Sequence, residues 1–301
     1  MLHTDKNLTR EQIDRRNDGH YDPASEVALR SKQRRQAVRR ELAIQNVLRL
    51  LIVIAFFGVW YIGTLKWPPI ILPTPHNVFQ TLWNVRDLVI SNGLATLKAV
   101  FMGFTLGASL GFGLGFIVAH SRRAEAVLGP FIVGSQALPK TALAPLFVLW
   151  FGFGIMPKII LAATICFFPL FENTVVGLRR VDESYLKLFR SAGASTWQVF
   201  RYLRLINSTP LILISIRVSL LYALIGVVVG EFISGNEGLG FLVISAQGNF
   251  DASLTFAVLV ALTLMGLALY GIARAIEERI LNHLHLGSGS VGSDSKSKLG
   301  N

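Results

Sequence analysis

Charged side chains are scarce. Asp, Glu, Lys and Arg make up 16% of the 301 residues, against about 25% in a typical soluble chain, while hydrophobic residues make up 52%. The scarcity is uneven, because residues 1–46 carry ten of the 29 Lys and Arg and seven of the 18 Asp and Glu. The remainder is poorer still and holds long apolar runs. An ordinary soluble enzyme domain, a disordered chain and a nucleic-acid binder built on a charged surface are thereby excluded. The net charge of +11 does not restore the last of these, since the basic residues cluster beside apolar runs, where membrane proteins place them. Cysteine is almost absent: Cys166 is the single one, so no internal disulfide forms and the count says nothing of redox compartment. Signature sites are missing too. No G-x-x-x-x-G-K-[ST] loop is present to cradle ATP phosphates, and neither H-E-x-x-H nor G-x-S-x-G occurs. The six histidines are scattered; His283 and His285 alone lie close together, and zinc sites usually need four ligands. No carboxylate pair sits inside an apolar run. The chain is therefore expected to have no catalytic residues, no metal and no cofactor, and not to be an enzyme.

What is present is a set of apolar segments. A hydrocarbon core about 30 Å thick takes ~20 apolar helical residues to cross. Six segments qualify: about 47–65, 99–119, 134–154, 159–178, 211–233 and 254–273. The third is interrupted by Lys140, Pro139 and Pro145. The basic residues justify keeping it. Arg30 to Arg49, Arg122 and Arg123, the stretch from Arg179 to Arg204, and Arg274 with Arg279 fall on one side only if all six segments cross, whereas residues 234–253 hold no Lys or Arg. Cytoplasmic loops are the basic ones, so both termini are expected in the cytoplasm of a multi-pass protein of the cell membrane. The expected organisation is an all-α integral membrane protein. It has a basic cytoplasmic arm over 1–46, including a surface helix at about 26–45, a transmembrane domain over 47–282, and a flexible Gly/Ser-rich tail over 283–301. The late apolar region and the lack of a small-residue cleavage pattern argue against a cleaved signal.

Several features inside the segments carry meaning. The second has small residues at every fourth position, Ala95, Ala99, Gly103, Gly107, Gly111, Gly115 and Ala119, which share one drifting helix face. Such faces admit a second helix closely in lipid, either within the subunit or against a moving helix or second subunit. Glu172, Arg217 and Glu231 are ionisable groups at or near membrane depth, where such groups are costly and are candidates for lining a pathway. Each has a structural alternative: helix contact for Glu172, snorkelling for Arg217, and for Glu231 the start of a Gly-rich turn or half-helix running to Gly240.

The segment 182–206 is apolar and basic at once. Tyr185, Leu186, Phe189 and Ala192 share a helical face, Gly193 is suited to end that helix, and Ser195 or Thr196 can cap the next. That second helix carries Trp197, Phe200 and Leu203. Such a helix–Gly–helix hairpin suits docking onto a soluble partner; the alternative is an amphipathic hairpin lying on membrane lipid.

The hairpin resembles the "EAA" loop of permease subunits of bacterial ABC importers, E-A-A-x3-G-x9-I-x-L-P. Aligned on Gly193, the E-A-A positions are Lys187, Leu188 and Phe189, the Ile position is Leu203, and Leu-Pro becomes Leu205-Ile206. Gly193 and Leu205 are the literal matches. The run Gly193-Ala-Ser-Thr-Trp-Gln-Val-Phe200 resembles the G-A-S-x-W-Q-x-F version of this loop. Leu72-Pro-Thr-Pro75 is similar to the family's L-P-S-P segment. Residues 136–154, 226–232 and 238–240 extend the likeness, which covers about 50–282. It is nearest to nitrate/sulfonate/taurine-type permeases, and over 136–154 to those of thiamine-precursor pyrimidines or riboflavin. The resemblance implies a bundle like that of type I ABC importers. It also implies a homodimer or paired permease, two cytoplasmic ATP-hydrolysing subunits, and an extracytoplasmic solute-binding protein. Coupling to the ATPase would fall to Leu186, Phe189, Gly193, Ala194, Ser195, Trp197 and Phe200. A stand-alone secondary transporter or channel is the alternative, though no internal repeat of the kind common in that class is evident.

Overall fold

The apolar runs become helices. The computed structural model describes residues 23–284; the first 22 residues of the basic arm, and the Gly/Ser-rich tail from His285 onward, lie outside the described residues. Among the described residues there is no strand. The first helix, α1 (Pro23–Lys66), is unbroken over 44 residues. The expected surface helix and the first expected span are thus one element, because the sequence between them contains neither glycine nor proline to stop the backbone ladder.

The second unit begins at Lys66. A short helix, α2 (Pro75–Asn84), starts where Thr74 accepts a hydrogen bond from the Asn77 N–H and proline occupies the first turn, a position that needs no donor. The long α3 (Arg86–His120) follows, then α4 (Arg122–Gln136), a 3-10 turn over Lys140–Leu143 and α5 (Ala144–Phe151). Next come α6 (Ile155–Arg179), the hairpin helices α7 (Glu183–Ser191) and α8 (Thr196–Val199), and a π-helical turn over Phe200–Arg204. The described residues close with α9 (Leu205–Ser234), the short α10 (Leu239–Gly248) and α11 (Ala252–His283).

Among the described residues five helices are long and apolar enough to cross a membrane, and the α4–α5 pair supplies a sixth crossing if its two limbs count as one. The limbs are bent by 85°, with the break at the Pro139–Lys140 interruption of the span expected over 134–154. Pro139 lacks the N–H an interior helical residue donates, its ring clashes with the preceding turn, and it drives Leu138 away from helical geometry. Helix α10 spans 10 residues, about 15 Å, too short to cross a hydrocarbon core.

The core of this unit is α6 held between α3 and α9. The small-residue ladder of α3 faces α6 directly. A Cβ added at Gly107 would lie 2.5 Å from both the Ala163 carbonyl oxygen and Cys166 Sγ, and one at Gly111 would lie 2.6 Å from the Phe167 carbonyl oxygen. On the other flank, Gly226 of α9 would meet Ala162 Cα at 2.6 Å and Gly230 would meet Lys158 Cα at 2.9 Å. The ladder therefore serves packing within the subunit. Ala99, Val100, Ala162, Cys166, Ala223 and Val227 fill the seam as a buried cluster. A second cluster of Val89, Leu239, Leu242, Val243 and Val258 fixes α10 against the start of α3 and α11.

Close backbone approach makes side-chain size decisive. Gly107→Leu forces α3 off α6, and overpacking of this kind costs about 1–3 kcal/mol; Gly113→Leu, on the same helix with nothing within 4 Å of an added Cβ, is expected to be neutral. Thermal unfolding of the detergent-solubilised protein distinguishes the two, with a lowered midpoint for the first variant alone.

Candidate functional site

The hairpin is built from local signals. Asp182 starts α7 by accepting the Ser184 N–H at 2.7 Å. That bond holds the Asp182 carboxyl below the usual carboxylate range, so it is ionised at neutral pH beside the positive helix N-terminus. At the other end of α7 the Gly193 N–H donates to the Arg190 carbonyl at 3.0 Å and the Ala194 N–H to the Phe189 carbonyl at 3.0 Å. This double bond pattern requires a left-handed residue just past the helix end, and Gly193 has φ +74°. One residue later Ser195 and Gln198 cap each other reciprocally. The Gln198 N–H donates to Ser195 Oγ at 3.3 Å, and the Ser195 N–H donates to Gln198 Oε1 at 2.7 Å. The turn between the helices is therefore determined at every residue from Phe189 to Gln198.

The hairpin is fastened to the bundle by two devices, and a third joins the helix ends next to it in the chain. Phe200 is buried against Phe116 and His120, with ring centroids 5.2 and 4.9 Å away, and against Ala119 and Leu178. Asn207 Nδ2 donates to the Arg180 carbonyl at 2.7 Å, tying the start of α9 to the end of α6. Arg179 donates to the Val118 carbonyl at 2.7 Å and pairs with Glu125, which joins α6, α3 and α4. What remains outward is apolar and basic. Tyr185, Leu188, Trp197 and Tyr202 are each more than half exposed, and Lys187, Arg190 and Arg201 are exposed beside them. Leu188, Phe189, Ala192, Gly193, Ala194, Gln198 and Tyr202 line a groove on this surface.

Of the seven coupling residues expected from the sequence, Gly193, Ser195 and Trp197 are exposed, and Leu186, Phe189 and Ala194 are half-buried. Phe200 points inward and anchors the hairpin rather than presenting itself. The outward Leu188 and Tyr202 were not among the seven. Spacing put Trp197 and Phe200 on one face, and their rings lie 5.3 Å apart, but spacing does not say which part of that face the bundle covers.

The three ionisable candidates do not converge. Glu231 is 1% exposed. Its Oε1 accepts the Thr96 hydroxyl at 2.8 Å and its Oε2 accepts the Gly240 N–H at 2.7 Å. Thr96 Oγ1 accepts the Leu239 N–H at 2.8 Å, and Asn92 Oδ1 accepts the Gly238 N–H at 2.8 Å. The buried Lys158 ammonium donates to the Glu237 carbonyl at 2.8 Å. Together these bonds bind the turn after α9 and the N-terminus of α10 to α3 and α6. Arg217 pairs with Glu277 of α11 at 3.1 Å and lies 5.1 Å from the Tyr270 ring centroid. Glu172 alone is exposed, and its Oε1 accepts from Gln136 Nε2 at 3.3 Å. Asn92, Thr96, Lys158 and Glu277 escaped sequence reasoning because polar residues near helix ends carry no periodic signal. A lysine in an apolar run, as at Lys158, was the one visible cue.

Thr96 both donates and accepts within this buried network. Thr96→Val keeps its shape but leaves the Leu239 N–H and one Glu231 oxygen without that partner, at a cost of about 1–3 kcal/mol; a lowered thermal midpoint is expected. Phe200→Ala is expected to free the hairpin while leaving the bundle folded, read as faster limited proteolysis between residues 182 and 206 and little change in the midpoint.

The comparisons with known proteins agree with this architecture. A family profile described as "Binding-protein-dependent transport system inner membrane component" matches residues 111–282. The riboflavin transport system permease protein RibX of Chloroflexus aurantiacus is 36% identical over 261 residues, covering 86% of this chain and 96% of that one. The formylaminopyrimidine transport permease protein ThiX of Halalkalibacterium halodurans is 34% identical, covering 71% and 86%. A putative aliphatic sulfonates transport permease protein, SsuC of Bacillus subtilis, is 32% identical, covering 70% and 77%. Among solved structures, the inward-facing MetNI methionine ABC transporter has a similar fold, with TM-score 0.55, 16% identity and 65% of this chain and 96% of that chain covered. An amino acid ABC transporter crystallised with histidines is similar at TM-score 0.57 and 18% identity, covering 67% and 98%. By a profile over more than half its length, and by relatives that run alongside most of it, the chain belongs to the inner-membrane permease family of binding-protein-dependent ABC transport systems.

Proposed function

We propose that this permease works as half of a membrane dimer. Its hairpin docks a separate ATP-hydrolysing subunit in the cytoplasm, and a solute-binding protein delivers cargo on the opposite side. The single observation behind this is the hairpin: an outward surface of Tyr185, Leu188, Trp197 and Tyr202 among basic residues, shaped by the Gly193 turn and fastened by Phe200 and Asn207 to the ends of α3 and α6. A loop meant only to lie on lipid has no need of a turn determined residue by residue. The π turn joins the hairpin to α9 without a break, and α9 continues to Glu231, 26 residues and about 39 Å away. A push on the hairpin thus reaches the far end of the bundle along one helix that packs directly on α6. Both termini lie in the cytoplasm, with the domain limits read from the sequence: the arm over 1–46, the membrane domain over 47–282 and the tail over 283–301.

The cargo belongs with those of the named relatives, a riboflavin- or formylaminopyrimidine-like solute or an aliphatic sulfonate. Energy comes from the partner ATPase, since the chain has no phosphate-binding loop of its own.

Gly193 provides the test. A valine there is forced to φ +74°, where a β-branched residue is an outlier and the cost is about 1–2 kcal/mol, although no atom blocks its Cβ. Gly193→Val is expected to insert and fold normally, to lose at least about tenfold in ATP-driven uptake, and to leave the partner's hydrolysis running uncoupled from solute. Normal uptake by this variant, or uptake that survives disabling the partner's ATP site, refutes the coupling role.

A further inference from the structure

One place in the bundle breaks the rules of a lipid-facing surface in three ways at once. First, α4 ends at Gln136 with the Ala137 N–H still bonded to the Gly134 carbonyl, and the helix is then broken at Leu138 and Pro139, both exposed, before the 3-10 turn at Lys140. Second, the Lys140 ammonium lies 4.1 Å from the Phe168 ring centroid. Phe168 is 11 residues from Arg179 at the basic end of α6, about 16 Å, which is near the middle of a hydrocarbon core about 30 Å thick. Third, Glu172, one helical turn from Phe168 on the same face, is exposed and held only lightly by Gln136 at 3.3 Å. Irregular backbone at membrane depth survives only where protein or a water-filled cavity covers it, and a lysine and a carboxylate there mark a solute or ion pathway.

We infer that Gln136, Lys140, Phe168 and Glu172 form a solute-contacting subsite midway across the membrane, fitted to a planar heteroaromatic molecule bearing both hydrogen-bond donors and acceptors. This deepens the permease reading and rests on it. The chemistry selects the solute class. Lys140, on the 3-10 turn, and Glu172, on α6, carry opposite charges, so the subsite has no net charge with which to hold a sulfonate, and the carboxylate repels an anion. The Phe168 ring offers an aromatic face for stacking. Gln136 offers both a donor and an acceptor, Lys140 donates to ring nitrogens or carbonyls, and Glu172 accepts from ring N–H, amino or hydroxyl groups. An aromatic face beside a few polar groups able to fix orientation is what a heterocycle requires of the residues it meets.

The single buried cysteine makes the test direct. In membrane vesicles carrying the full complex with its ATPase and binding protein, Cys166→Ala serves as the parent. Gln136→Cys, Glu172→Cys and Leu149→Cys are introduced singly, Leu149 being an apolar side chain 77% exposed on α5. A charged, membrane-impermeant thiosulfonate is expected to modify positions 136 and 172 and to spare 149. Riboflavin or formylaminopyrimidine, and not ethanesulfonate, is expected to slow the reaction at 172. Lys140→Gln in the otherwise native chain is expected to raise the half-saturating concentration of the protecting solute in uptake by about tenfold. If positions 136 and 172 resist the reagent while uptake by the parent still requires the ATPase, the cluster is sealed against a second copy and the subsite is refuted. Protection by ethanesulfonate, or by none of the three solutes, refutes the solute class. Uptake by the parent that persists without a working ATPase refutes the permease reading instead, whatever the labelling shows.

Discussion

Backbone contact between α6 and its two neighbours is the constraint on which the rest of this unit depends. In lipid there is little hydrophobic gain in burying one apolar helix against another, so association rests on dispersion between surfaces that fit closely. The glycines of α3 and α9 remove the side chains that would hold the axes apart, and the backbones of three helices meet along a continuous seam. Once the seam is closed, α6 cannot shift without both neighbours. The two ends of the bundle are then placed by the same three helices, the hairpin by the ends of α3, α6 and α9 and the α10 turn by Asn92, Thr96, Lys158 and Glu231.

Polarity is arranged around that seam according to what each depth allows. At the hairpin end, where water is available, basic side chains and aromatic rings share an exposed surface. At the opposite end the polar atoms are buried and satisfied, with Glu231 accepting from Thr96 and Gly240. Helix α10 begins there, and its first N–H groups find acceptors in Asn92, Thr96 and Glu231 instead of water, which meets the capping need of a helix that starts inside protein.

Sequence patterns reached these features unequally. Long apolar runs located five of the crossings, because length and hydropathy are local properties. The ladder from Ala95 to Ala119 was legible for the same reason: spacing of four defines one face whatever packs on it. Gly193 and Ser195 or Thr196 declared the hairpin turn, since left-handed geometry and a helix cap have specific residue demands, whereas the reciprocal bond from Gln198 emerged only in the structure. The break at Ala137–Pro139 was only half legible. Pro139 warned of it, but basic-residue counting sees the number of crossings and not their straightness. Phe200 was placed on one apolar face with Trp197, which it shares, but spacing gives no sign that Phe116 and His120 of α3 cover it. Glu231 and Arg217 looked like pathway groups because charge at depth is visible in a sequence, whereas Thr96 and Glu277, their partners 135 and 60 positions away, are not.

The lone thiol of Cys166 lies inside the α3–α6 seam, fully buried and in contact range of the Gly103 carbonyl at 3.8 Å. Sulfur there has no space for even one added oxygen atom, since sulfenic or sulfinic groups would have to displace the Gly107 backbone. Oxidants are therefore excluded for as long as the helices remain in register. Chemical aging of this protein at cysteine would begin only after its central helices had already come apart, which makes the sulfur a witness to unfolding and not a cause of it.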